Sequence, residues 1–188
     1  MRFLEEVDKD IWKLKADSNL YLLNFDEPIV IDTGRRQNHE LITKFLDKVR
    51  PLSEIKTVIL THLHYDHIGN FDLFPNAVFY ASEPEIASFE KNPKSTILDE
   101  DMVKKFKVQL QPIRDFNDLV FIQTPGHTVG SICLYLKSRK ILFSGDTLFE
   151  NKKFGRTDFP TSSPKKMKIS LMKLINYDFK ILCPGHDY

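Results

Sequence analysis

The chain has 188 residues, 41% of them hydrophobic and 28% charged, a balance that fits one folded domain with a real core and excludes a disordered polypeptide. Its 27 basic and 26 acidic side chains leave a formal charge of +1, so no global field draws it to nucleic acid or to an anionic membrane. No apolar run approaches the roughly 20 residues that span a bilayer, and the acidic, polar start MRFLEEVDKD lacks the form of a signal peptide, which predicts a cytoplasmic protein.

In chain order, strands are predicted over DIWKLK (10 to 15), NLYLLN (19 to 24) and PIVI (28 to 31), which are rich in β-branched and aromatic residues. Asp32-Thr33-Gly34 closes them as a turn. HELITKFLDKV (39 to 49) places Leu41, Ile42, Phe45, Leu46 and Val49 on one face at helical spacing before Pro51 ends the run. KTVILT (56 to 61) reads as a buried strand that delivers the chain into His62-Leu63-His64-Tyr65-Asp66-His67. Strand AVFYAS (77 to 82) then feeds a helix with Ser82 as its N-cap and Pro84 and Glu85 in its first turn.

Residues 91 to 117 are the least regular stretch. Phe106, Pro112 and Phe116 within it either cover a pocket or belong to a surface excursion. DLVFIQT (118 to 124), SICLYL (131 to 136) and KILFSG (140 to 145) follow as strands joined by turn-length links, then a helix over 164 to 176 and a last strand in KILCPG (180 to 185). Three strands in a row without helical crossovers argue against a plain doubly wound sheet and for two sheets with helices outside them, a layered α/β architecture. No repeat, low-complexity tract or linker divides the sequence, so a single domain over 1–188 is expected. Lys165, Lys166 and Lys168 read as a solvated helix face. Cys133 and Cys183, within apolar strands, read as small hydrophobes rather than a disulfide.

Five of the six histidines, His62, His64, His67, His127 and His186, lie where the chain leaves an apolar strand, and only His39 does not. His62 and His64 are two apart, so an extended backbone points both to one side. Asp66 and His67 follow in a turn. Imidazole nitrogen and carboxylate oxygen suit zinc and iron, and H-x-H-x-D-H supplies donors for more than one ion. Crowding such groups at one strand end without a cation would leave several unsatisfied.

Three further segments share this character: Thr124-Pro125-Gly126-His127-Thr128, Ser144-Gly145-Asp146-Thr147 and Cys183-Pro184-Gly185-His186. Together with the His-rich loop, and in this order, they resemble the metallo-β-lactamase superfamily over nearly the whole chain. The resemblance implies a four-layer αββα sandwich with a paired metal site at one edge of its sheets. It implies that His62, His64 and His127 hold one divalent ion and that Asp66, His67 and His186 hold the other. Asp146 would bridge them, Asp66 would also steer protons, and Asp32 would orient the His-rich loop. Zinc is the expected metal, with iron or manganese as alternatives. The nucleophile expected of such a hydrolase is hydroxide formed from a water between the two ions, acting on a thioester or ester.

SGDTLFENKKFGRTDFP (144 to 160) is most similar to the glyoxalase II (hydroxyacylglutathione hydrolase) branch and its stand-alone relatives. There Arg156 either pairs with a substrate carboxylate or with Asp158. The sequence stops two residues after His186, without the helical C-terminal region that supplies much of the glutathione site in glyoxalase II, so glutathione specificity does not follow. The rival activity is a persulfide dioxygenase with a single iron on a subset of these ligands. A non-catalytic metal-binding module fits less well, because structural zinc sites are closed four-coordinate cages. A small-molecule substrate is expected, with no nucleic-acid or membrane partner, and the oligomeric state is left open.

Overall fold

Apolar residues in NLYLLN and PIVI alternate between two environments, and that alternation organises the molecule. In the computed structural model, which describes residues 3–187, a seven-stranded sheet runs in sequence order: β1 (Leu4–Asp8), β2 (Ile11–Leu14), β3 (Leu20–Leu23), β4 (Ile29–Ile31), β5 (Thr57–Ile59), β6 (Val78–Ala81) and β7 (Leu110–Pro112). Its first four strands are antiparallel neighbours, and β4 to β7 are parallel. The second sheet has the order β11-β10-β9-β8, from β8 (Leu119–Gln123), β9 (Ile132–Leu136), β10 (Ile141–Gly145) and β11 (Ile181–Pro184).

Successive side chains of a strand face opposite ways, so each sheet sorts its residues into two layers. Leu22, Val30 and Val58 face helices on the outside, where they meet Ile42 and Leu46 of α1 (His39–Leu46). Tyr21, Leu23, Ile29, Ile31 and Ile59 face the second sheet and pack with Leu134, Leu136, Ile141 and Phe143. On that sheet's far side, Ile122, Cys133 and Leu142 meet Leu174 of α6 (Pro164–Leu174). The result is the expected helix–sheet–sheet–helix sandwich. Each fully buried Leu, Ile or Phe contributes about 1.5–3 kcal/mol through burial, so the central layer fixes how the two sheets face each other.

The regular elements follow the sequence reading, with α1 and α6 ending at Leu46 and Leu174. Helix α6 supplies the crossover that joins the parallel pair β10 and β11. Residues 91 to 117 differ from expectation. Helices α4 (Pro93–Ile97) and α5 (Glu100–Lys105), capped by Asn92 and Asp99, precede β7. Each element is too short to display a period. Ile97, Met102 and Phe106 pack into the outer core, while Phe116 stacks on Tyr80 at the N-terminal end of β8, away from His127. None of Phe106, Pro112 and Phe116 covers the cleft described below; Leu98 alone reaches it from this segment. Strand β1, half-exposed and mixed in polarity, also carries no legible period.

Cys133 and Cys183 are free and buried on opposite faces of the second sheet, as the hydrophobe reading expects. Burial pushes their thiols up to about 11 and about 12 respectively. Lys165, Lys166 and Lys168 are exposed on α6. Among the described residues no helix is long and apolar enough to cross a membrane.

Candidate metal centre

Strand polarity explains why residues more than a hundred positions apart meet. β4, β5 and β6 run parallel, so Asp32, the His62–His67 segment and Ser82–Glu85 all emerge at one edge of the first sheet. β8 and β10 are both antiparallel to β9, and β11 is parallel to β10, so His127, Asp146 and His186 emerge together from the second. A short helix, α2 (Tyr65–Ile68), replaces the expected turn and presents Asp66 and His67.

All seven sequence-predicted ligands converge. One ligand atom from each of His62, His64 and His127 lies within 4.8 Å of the others, and the same holds for Asp66, His67 and His186 and for His62, His67 and Asp146. Asp146 turns Oδ1 toward His67 Nε2 at 3.3 Å and Oδ2 toward His127 Nε2 at 3.3 Å and His186 Nε2 at 3.5 Å. Gly185 makes this approach possible, since a Cβ there would sit 2.3 Å from Asp146 Oδ1 and 2.9 Å from His67 Cε1.

The remaining ring nitrogens are held from behind. Asp32 Oδ1 accepts from Thr61 N at 2.7 Å; its Oδ2 accepts from Thr61 Oγ1 at 2.8 Å and lies 2.9 Å from His67 Nδ1. Because the Thr61 hydroxyl donates to Asp32, its oxygen accepts from His62 Nδ1, 3.1 Å away. His127 Nδ1 donates to the Arg156 carbonyl at 2.8 Å, and His186 Nδ1 to the Asp17 carbonyl. A ring whose Nδ1 carries the proton keeps a lone pair on Nε2. For His62 and His127 that Nε2 is buried with no hydrogen-bond partner, as is Asp146 Oδ1. Unpaired buried acceptors of this kind, crowded among five imidazoles, are costly by themselves and fit bound cations.

Electrostatics divide the rings. Burial and then neighbouring imidazoles hold His62 well below the usual histidine range and bring His64 down to about 3; burial also lowers His127. For His67, burial is outweighed by Asp146, Asp66 and Asp32, which hold it well above that range, and His186 is raised over its own burial penalty by Asp66 and Asp146. Asp146 falls to about 2 because His67, His127 and His186 outweigh burial, and Asp66 falls below the carboxylate range for similar reasons.

A pH optimum follows for the metal-free protein. Below the unfolded histidine value of about 6.5, the unfolded chain protonates at His62, His64 and His127 while the folded one does not, so stability falls as pH drops toward 3. Above about 6.5, the unfolded chain is deprotonated while His67 and His186 still hold protons in the fold, so that contribution is lost as pH rises through their raised values. Thermal melts of chelator-treated protein are expected to peak near pH 6.5; a midpoint rising steadily from pH 4 to 6 and on through 9 would contradict this assignment.

The ligands open into a cleft of about 820 Å³ lined also by Tyr65, Leu98, Phe149, Lys152, Lys153, Phe154, Arg156 and Phe159. Of the two partners foreseen for Arg156, the structure shows Asp158, with bonds of 3.0 and 2.7 Å, and the guanidinium lies over Phe159. His39 stays apart, its Nδ1 3.2 Å from Asn70 Oδ1. Sequence reasoning missed Thr61, the exposed Lys152 and Lys153, and Glu85, which is fully buried against both His-bearing loops. Glu85 follows Ser82 by three positions, a spacing that reads as helix capping and hides any other use.

Two sheets between helices, with a cluster of His and Asp groups at the strand ends that could hold metal ions, define an αββα class of metal-centre protein. The chain belongs to the Metallo-beta-lactamase superfamily, whose pattern matches residues 16–186. It is 32% identical to a probable metallo-hydrolase of Streptococcus pyogenes serotype M6, over 85% of this chain and 73% of that protein. It is 28% identical to a probable hydroxyacylglutathione hydrolase of Schizosaccharomyces pombe, over 95% of this chain and 67% of the relative. It is 30% identical to an acyl-coenzyme A thioesterase of Homo sapiens, over 71% of this chain and 59% of the relative. The crystal structure of a metallo-beta-lactamase family protein from Thermus thermophilus superposes with a TM-score of 0.78 at 23% identity, covering 97% of this chain and 75% of that one, which shows the shared fold.

Proposed function

We propose that this chain hydrolyses a thioester with an apolar acyl part and an anionic thiol carrier, at a pair of divalent cations, zinc first with iron or manganese as alternatives. In this reading His62, His64 and His127 hold one ion, Asp66, His67 and His186 hold the other, and Asp146 lies between them. The observation that carries it is Asp146, whose separate oxygens face His67 and His127 at 3.3 Å each, so both three-residue groups are complete and share one carboxylate. Bound cations would supply what the side chains lack, lowering the pKa of water from 15.7 toward about 7 and drawing charge off a carbonyl oxygen.

The chain's own groups favour a thioester. Asp66 and Asp146 are both held below the usual carboxylate range, so neither donates a proton at neutral pH. A thiol of pKa about 8.5 departs as thiolate without one. Exposed Lys152 and Lys153 at the cleft rim suit an anionic carrier such as a phosphate-bearing one. Phe154 lines both the cleft and a neighbouring groove of about 430 Å³, whose walls include Pro164, Met167, Leu171 and Met172 on one face of α6 and Ile175 just beyond its end. An acyl chain passing Phe154 would find apolar surface there. The thioesterase among the relatives acts on acyl-coenzyme A, which has both properties.

The test is a panel of acyl-coenzyme A esters of increasing length beside S-lactoylglutathione, with oxygen uptake on glutathione persulfide as a further arm. Hydrolysis is expected, with kcat/KM rising by up to about fourfold per added CH2 while the groove fills, since each buried CH2 is worth about 0.8 kcal/mol. A flat length series would remove the groove from the reading, and oxygen consumption by a one-iron protein would replace hydrolysis altogether.

A further inference from the structure

Glu85 has no exposed surface, and its carboxylate is spent entirely on two loops that carry histidines. Oε1 accepts from Leu63 N at 3.0 Å, the peptide nitrogen between His62 and His64. Oε2 accepts from Thr128 Oγ1 at 2.8 Å and from Gly130 N at 3.0 Å, directly beyond His127. The approach is tight. A Cβ on Gly130 would lie 2.3 Å from Glu85 N and 2.6 Å from Glu85 Cβ, and the Ser82 hydroxyl donates to the Gly130 carbonyl.

The two loops come from different sheets, and Ile132 N donates to Thr61 O beside this point. Leu63 turns its side chain into the outer core, and its N–H donates to Glu85 in the first turn of α3 (Glu83–Lys91). Asp32 does the corresponding work on the other side, where it holds Thr61 and His67. Two buried carboxylates thus divide the support of the centre.

We infer that Glu85 is a positioning residue that fixes the separation of His62 and His64 from His127 and thereby sets the cation affinity of that group and not of the group formed by Asp66, His67 and His186. The inference rests on the paired-cation reading above. Partners behind metal ligands commonly alter affinity by about 10–100-fold when removed.

Glu85→Gln is close to isosteric, but its amide places N–H groups where one oxygen stood, so either Leu63 N or the Gly130 side of the clamp loses its acceptor. Cobalt(II) titration of the metal-free full chain, followed by visible absorption, separates two bound equivalents by their spectra. In Glu85→Gln one equivalent is expected to weaken about 10–100-fold with the other unchanged. Asp32→Asn, at a carboxylate that meets His67 directly and His62 through Thr61, is expected to weaken both equivalents. Thr128→Val, which removes one donor to the same carboxylate, should move the Glu85-dependent equivalent in the same direction by less, and it decides the matter if Glu85→Gln fails to fold. A lowered melting temperature with both equivalents weakened alike would mean a general structural role and overturn the inference, as would wild-type cobalt binding in Glu85→Gln. Wild-type protein that takes up no cobalt at all would remove the cation centre itself, and Glu85's part with it.

Discussion

Asp146→Ala is expected to bind one metal equivalent where the wild-type chain binds two, and to lose roughly a thousandfold or more in thioester turnover. Among the described residues Asp146 is the one carboxylate that approaches His67, His127 and His186 at once, at 3.3, 3.3 and 3.5 Å. No neighbour can replace it. The carboxylates of Asp32 and Glu85 are already engaged behind the histidines, and Asp66 belongs to one group only. Without Asp146 the group of His67 and His186 keeps Asp66 as its only anionic member and loses the carboxylate that also faces His127, so nothing negative is left between the two groups to offset the repulsion of a second cation. Charge stabilisation by a metal is worth several kcal/mol in a transition state, and about 4 kcal/mol corresponds to a thousandfold in rate. Metal analysis and steady-state kinetics on the same preparation check both halves. Asp146→Ala protein that still carries two tightly bound ions would refute the shared-carboxylate assignment, whatever its activity.

The seven candidate ligands were legible because each one punctuates an apolar run, a pattern visible at separations of a few residues. Four of them fall within His62–His67. The sandwich was legible because β3, β4, β9 and β10 are short apolar runs and because residues 118 to 145 carry three of the strands with only turn-length links between them. What supports the ligands was not. Glu85 acts on partners 22, 43 and 45 positions away, and nothing local distinguishes it from a helix-capping glutamate. Thr61 looks like the last residue of a strand until its hydroxyl is seen between Asp32 and His62. Residues 91 to 117 carry no legible period because α4, α5 and β7 are each shorter than two helical turns or one clear alternation. Arg156 is open to two partners in the sequence; in the structure its side chain meets Asp158 two positions on, while its carbonyl accepts from His127, which no local pattern announces.

Full removal of metal by a chelator is expected to abolish thioester hydrolysis, with zinc, manganese or iron(II) restoring it. The reason lies in what the chain offers without cations. Among the described residues no serine or cysteine lines the cleft; Cys133 and Cys183 are buried elsewhere, with thiols raised to about 11 and about 12. Stability should fall in the same experiment, since the metal-free centre keeps Nε2 of His62 and His127 and Oδ1 of Asp146 buried and unpaired. At free metal a hundredfold above Kd, binding adds about 2.7 kcal/mol, which for a chain of this size is roughly 5–10 °C in Tm. The two effects must move together along a metal titration, because one set of side chains is responsible for both. Protons compete for those side chains, so the metal concentration that restores half the activity should rise as pH drops below about 6.5. Turnover that persists after complete demetallation, verified by elemental analysis, would sink the cation-dependent mechanism and with it the reading of the His-rich loop as a catalytic centre.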